Sequence, residues 1–186
     1  MDMSIRKNIL MSRTICLALS LLLLTSFGHR KADYCKMAER LADRYAIEFA
    51  QPRGLMLCRY GGAMMDDIQE VSLGFTSFIA LSVDQARIYY VEMMEEFLCR
   101  INSDEEIRPY LHNYPFEEEN IKLRIGFDDS QGKILSDGQV AQMGIVKDHK
   151  LYFAAYDSEK EKFYDLHEES YEEALKIVQN QKKRAL

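Results

Sequence analysis

Apolar residues recur every three or four positions in three segments of the chain, which is the spacing of helices with one buried face. The segments are residues 31–50, residues 82–101 and a final segment that begins at Ser170. Pro52 ends the first helix. Ser82 and Ser170 are followed three residues later by Gln85 and Glu173, which is the spacing of a helix capping box. The pattern therefore predicts three amphipathic helices.

Runs of apolar and β-branched residues that are bounded by turn residues predict strands between these helices. The runs are residues 54–60, 68–80, 121–127, 139–146, 151–156 and 162–167. Gly74, inside the second run, indicates a β-bulge or a close backbone approach. Strands that come in groups between helices predict an α+β fold. We expect an antiparallel sheet of about five to six strands with helices packed mainly on one face.

Residues 1–28 have the three-part pattern of an export signal. Basic residues precede the apolar run 14–24, and the small residues Ser26 and Gly28 follow it. The run is about half as long as a membrane-spanning helix, which needs ~20 residues, so a retained membrane anchor is the alternative. We expect a signal peptide over residues 1–28 and cleavage after Gly28. Met11 is an equally good start, because a complete signal follows it.

Cleavage would leave a single domain over residues 29–186, with 21 basic and 29 acidic residues and a net charge of −8. An acidic chain is unsuited to general nucleic-acid binding, in which lysine and arginine neutralise phosphates. We expect a periplasmic or extracellular protein. It would contact a membrane only during export or through an uncleaved signal.

Cys35, Cys58 and Cys99 remain after cleavage. An oxidising compartment permits one disulfide, and Cys58 with Cys99 is the candidate pair. Helical geometry places Cys99 opposite the main apolar stripe of its helix, where it either contacts a second layer of structure or lies near the surface. The alternative is that the cysteines are small buried apolar residues.

The turn-rich segment 102–116 contains the densest group of side chains suited to recognition. They are Arg108, Tyr110, His112 and Tyr114, which stand among two prolines. Loops hold binding groups disproportionately, and arginine and tyrosine supply hydrogen bonds and contact area. The segment therefore predicts a binding loop for a protein or a small molecule. In the structural alternative, Tyr110 and Phe116 fill the core and Arg108 pairs with a glutamate at position 105 or 106.

Motifs for catalysis and for cofactors are not recognisable in the sequence. A cysteine hydrolase would have to use Cys99 with His112 and Asn113, but Cys99 lies late in a helix and lacks a glycine-rich turn before it. The histidines lack the short spacing of a metal site. We therefore expect no catalytic residue, no metal and no cofactor. The expected function is non-catalytic binding of an unknown ligand, and the alternatives are a small exported hydrolase and a signal-anchored envelope protein.

Three short motifs lie within residues 82–125: Ile101-Asn102-Ser103, Ile107-Arg108-Pro109-Tyr110-Leu111 and Asn113-Tyr114-Pro115-Phe116. In these motifs the stretch resembles small uncharacterised exported bacterial proteins. The resemblance implies a bacterial protein outside the cytoplasm. It implies no activity, ligand or catalytic residue.

The first prediction concerns the signal and the cysteines, and an intact-mass measurement checks it. Protein recovered from the non-cytoplasmic fraction of a bacterial host should have the mass of residues 29–186. A thiol-alkylating label should add once before reduction and three times after it, because one disulfide would hide two thiols. A full-length mass would contradict cleavage, and three labels without reductant would contradict the disulfide.

Overall fold

The computed structural model describes residues 33–136, 138–146 and 150–184. The predicted signal peptide and its cleavage site lie outside the described residues. Helices and strands alternate in groups, as the sequence predicts. In chain order the described elements are α1 (33–45), β1 (Leu55–Ala63), β2 (Glu70–Ser77), α2 (Val83–Ser103), β3 (Ile121–Phe127), β4 (Gln142–Val146), β5 (Lys150–Asp157), β6 (Lys162–Ser170) and α3 (Tyr171–Arg184).

Short-range hydrogen bonds begin and end these helices at the predicted residues. The Ser82 hydroxyl accepts from Gln85 N at 3.3 Å, and the Gln85 side chain accepts from Ser82 N at 3.0 Å. Ser170 and Glu173 form the same reciprocal pair at 3.1 Å. These bonds satisfy N–H groups that the helix itself leaves without partners, so the predicted capping boxes are confirmed.

The strands of the described residues form one six-stranded sheet in the order β1 to β6. Neighbouring strands are antiparallel except β2 and β3, which are parallel. Parallel neighbours need a long crossover connection, and α2 lies in the segment between these two strands. The predicted α+β fold is confirmed, with a sheet that is mixed rather than wholly antiparallel.

Alternate residues of the central strands are buried in the core. These residues include Val71, Leu73 and Phe75 of β2 and Ile121, Leu123 and Ile125 of β3. The ring of Tyr45 in α1 packs edge-on against Phe75 and against Phe97 of α2, with ring centroids 6.0 and 5.1 Å apart. The Tyr45 hydroxyl donates to Met93 O at 2.8 Å. One aromatic cluster therefore joins α1, α2 and β2.

The buried hydroxyl of Tyr90 joins α2 to two strands in the middle of the sheet. It donates to Leu123 O of β3 and accepts from Ile145 N of β4, both at 3.1 Å. Regular pairing of β3 with β4 ends at Arg124 and Gly144. The hydroxyl thus stands between the two residues that would form the next pair, and it satisfies backbone groups that would otherwise be buried without partners.

A buried ion pair holds α2 against the edge strand β6. Arg87 Nε lies 2.6 Å from Glu169 Oε1, and both side chains are almost completely buried. Asp84 Oδ1 lies 2.5 Å from Arg87 Nη1, and His167 Nε2 lies 3.3 Å from Glu169 Oε2. Both charges are therefore compensated, which burial of ions requires.

We expect Glu169→Ala to lower the free energy of unfolding by about 3 kcal/mol, because it leaves Arg87 buried with only the exposed Asp84. Urea denaturation measures this change. In the control Glu168→Ala, the exposed neighbour is removed and the change should stay within about 0.5 kcal/mol. The double variant Arg87→Met with Glu169→Leu should recover much of the loss, since neither charge remains. Equal losses in the Glu168 and Glu169 variants would contradict the importance of the buried pair.

Candidate functional site

The predicted binding loop places its four side chains in three different surroundings. The Arg108 guanidinium lies over the Tyr114 ring, with Cζ 4.9 Å from the ring centroid. Tyr110 stacks instead on Tyr34 of α1, with centroids 5.6 Å apart. His112 forms a hydrogen bond with Asp67, which lies in the connection between β1 and β2. The loop therefore presents Arg108 with Tyr114 as one unit, and the structure uses Tyr110 and His112 to attach the loop to other elements.

Asparagine amides hold this loop in place. Asn102 accepts from Phe116 N at 2.7 Å and donates to Phe116 O at 2.9 Å. Asn113 and Asn120 exchange two hydrogen bonds of 3.0 Å. Phe116 is buried, as the structural alternative predicts, whereas Tyr110 is 38% exposed and does not fill the core. Much of the polar density of the segment thus has a structural role.

Arg108 and Tyr114 line a wide pocket of about 710 Å³ beside α2, together with Cys99. Arg108 Nη2 donates to Asn102 O at 3.2 Å, which is not the predicted pairing with a neighbouring glutamate. The other charged residues of the pocket are acidic. They are Glu95, Glu117 and Glu118. An anion is therefore disfavoured here despite the arginine.

Cys35, Cys58 and Cys99 are free thiols in the structure, so it contains no bond between Cys58 and Cys99. Cys58 lies in β1 and donates to Gly74 O at 3.2 Å, whereas Cys99 lies on α2 in the pocket beside Arg108. Among the described residues, no hydrogen bond links Cys99 to His112, the pair considered for a hydrolase. The described part of the chain also contains no group of three side chains suited to hold a metal ion.

The open face is the side of the sheet formed by the residues of β2, β3 and β4 that alternate with the core residues. It contains a trough of about 310 Å³, called here the open-face trough. One row of paired positions runs across the strands: Arg59, Gly74, Arg124, Gly144 and Tyr152. The first three of these residues line the trough. Neighbouring strands are about 4.8 Å apart, so the backbones at Arg59 and Arg124 stand roughly 10 Å apart with Gly74 between them.

A β-bulge gives Arg59 its place in this row. The pairing of β1 with β2 shifts between Leu57 and Arg59, so that Arg59 stands opposite Gly74. A regular strand would place Cys58 opposite Gly74 and would turn Arg59 toward the core, because side chains alternate between faces. A Cβ at Gly74 would lie only 3.0 Å from the Arg59 Cβ. Of the two alternatives predicted from Gly74, the bulge is present, and it lies in β1 opposite Gly74.

The open-face trough concentrates positive charge on a chain whose net charge is −6. Arg59, Lys122 and Arg124 line it. Lys122 Nζ lies 2.6 Å from Glu70 Oε2, whereas among the described residues no carboxylate lies within salt-bridge distance of Arg59 or Arg124. Burial raises the pKa of Tyr152, although the adjacent Arg124 acts in the opposite direction. Two exposed guanidinium groups thus lack a compensating acid within the described part of the chain.

Neutral polar groups complete the lining of the trough. They are the side chains of Cys58, Ser72, Thr76 and Gln142. The Thr76 hydroxyl donates to Cys58 Sγ at 3.6 Å. Together with the arginines, these groups can hold an anion by charge and by hydrogen bonds.

Comparisons of the chain with protein-family models, with curated proteins and with solved structures gave no match. Of the helices in the described ranges, none has the length and apolar character needed to cross a bilayer.

The contact of His112 with Asp67 predicts a pH dependence of stability. His112 Nδ1 lies 2.7 Å from Asp67 Oδ2, and this hydrogen bond holds the pKa of the Asp67 carboxyl below its usual value of 3.8. Since the pKa is lower in the folded state, the contact stabilises the fold above about pH 4, and the contribution is lost as the pH falls through the folded-state pKa.

Asp67→Asn should therefore flatten the decline in unfolding free energy between about pH 5 and pH 2, as measured by urea denaturation at each pH. His112→Ala should flatten it similarly, and the double variant should add little to either single change. Additive effects of the two replacements would contradict the pairing.

Proposed function

We propose that this protein is an exported, non-catalytic binding protein and that its open-face trough takes a small anionic ligand. The observation that supports this most is the pair Arg59 and Arg124, which flank Gly74 without a carboxylate partner among the described residues. A guanidinium binds carboxylate or phosphate through two parallel N–H···O bonds. Two such groups beside a bare backbone form a receptor for one anionic group.

The charge of the whole molecule favours selective binding at this place. An acidic surface repels anions, while the trough attracts them, so the local field directs an anion to the two arginines. At about 310 Å³ the trough is at the small end of the range for ligand pockets, which runs from roughly 300 to 1,000 Å³. A small molecule is therefore the fitting ligand.

The groups that line the trough suit binding better than catalysis. General acid–base chemistry needs a histidine, a carboxylate or a comparable group within hydrogen-bond reach of the substrate. The described lining contains no imidazole and no carboxylate. The Cys58 thiol could act as a nucleophile, but it donates a hydrogen bond to Gly74 O. The described lining contains no base beside it that could remove its proton.

The trough also suits an anion better than the predicted loop does. Arg108 already donates to a backbone carbonyl and lies over Tyr114. Its pocket contains three glutamates, while the lining of the trough contains none. An anion beside Arg108 would meet like charges, whereas one between Arg59 and Arg124 would meet cations that have no carboxylate partner among the described residues.

Isothermal titration calorimetry with inorganic phosphate and sulfate tests this proposal. The wild-type protein should bind these anions, and Arg59→Gln or Arg124→Gln should weaken binding by about tenfold or more, because a hydrogen bond to a charged group contributes about 1.5–3 kcal/mol. Both side chains are exposed, so the fold should be retained.

Lys176→Gln provides the matched control, since it removes one exposed positive charge on α3, outside the trough. Its binding should equal that of the wild type. An absence of anion binding, or an equal loss in the Lys176 variant, would overturn the proposal.

A further inference from the structure

Gly126 is a glycine that the fold does not require. It lies inside β3, and it is not among the glycines with positive φ. A Cβ at Gly126 would meet no heavy atom closer than Phe75 O at 3.9 Å, which is an ordinary contact. By contrast, a Cβ at Gly144 would lie 3.1 Å from Leu123 O. A glycine in a strand interior costs about 0.5–1 kcal/mol relative to alanine, so its presence at a position with free space needs another explanation.

The position of Gly126 supplies that explanation. It lines the open-face trough and stands between Thr76 of β2 and Gln142 of β4 in the sheet. It is two residues from Arg124 along β3, which corresponds to about 7 Å at the usual rise of a strand. A bare area of backbone, bordered by two polar side chains, thus adjoins the site proposed for the anion.

We propose that the ligand is an organic anion rather than a bare inorganic one. Its carboxylate or phosphate binds Arg59 and Arg124, and its uncharged body lies on Gly126 between Thr76 and Gln142. This inference rests on the proposed anion site and extends it to the chemical class of the ligand. Gly126 determines specificity, because its missing side chain provides the room for the body.

The size of the trough agrees with a body of about one ring. A cavity of about 150 Å³ holds benzene. The trough has about 310 Å³, which accommodates a ring and a phosphate or carboxylate together. The hydroxyl of Thr76 and the amide of Gln142 can bond to polar atoms on such a body.

The test compares four probes on the wild type and on Gly126→Val by titration calorimetry: inorganic phosphate, phenyl phosphate, acetate and benzoate. Valine is a good strand former and has free space at this position, so the variant should unfold at a urea concentration no lower than the wild type. The wild type should bind phenyl phosphate about tenfold or more tightly than inorganic phosphate. The variant should lose this difference and still bind inorganic phosphate.

Gly61→Val is the matched control. Gly61 is a strand glycine with no heavy atom near its Cβ position, and it is outside the lining of the trough. Binding of all four probes should match the wild type. The ratio of phenyl phosphate to benzoate affinity then shows whether the charged group is a phosphate or a carboxylate.

Two different failures can be told apart. If the wild type binds inorganic phosphate and phenyl phosphate equally, or if Gly126→Val keeps the preference for phenyl phosphate, the assignment of Gly126 is wrong and the anion site remains. If the wild type binds none of the four probes, the proposed function fails and this inference fails with it.

Discussion

The hydroxyl of Tyr90 connects α2 to the backbones of β3 and β4, and the position of α2 determines the rest of the sheet. Because this helix fills the connection between β2 and β3, those two strands lie parallel in an otherwise antiparallel sheet. β3 therefore pairs with one edge of β2, and β1 pairs with the other edge. Arg59 and Arg124 then stand on either side of Gly74. The place of the proposed anion site is thus a consequence of how the helix is attached to the sheet.

The two faces of the sheet differ in the side chains that they present. On the core side, large apolar side chains alternate along β2 and β3 and pack into the hydrophobic core. On the open face, glycines stand at positions 74, 126 and 144, and the backbone is partly exposed at positions 74 and 126. Two of these glycines avoid close contacts, and the third leaves room in the trough. One face of these strands therefore supports the core, and the opposite face contains the proposed ligand site.

Local patterns predicted the elements of this fold, because helix periodicity and capping depend on neighbours in sequence. The bounds of β3 agree with the predicted residues 121–127, and both capping boxes form. The trough could not be predicted in this way, since Arg59, Gly74 and Arg124 are distant in sequence and meet only through strand order. The contacts of the loop could not be predicted either. Tyr110 stacks on Tyr34 and His112 bonds to Asp67, and both partners are distant in sequence.

The bulge between Leu57 and Arg59 has a second consequence that concerns the outer boundary of the sheet. β1 is a terminal strand, and a terminal strand presents backbone N–H and C=O groups to which another chain could add. An extra residue breaks the even spacing of those groups and increases the local twist, so a straight strand from a second molecule fits poorly. Cys58, the extra residue of the bulge, turns Arg59 toward the trough and by the same change of spacing makes this edge a poor template for aggregation.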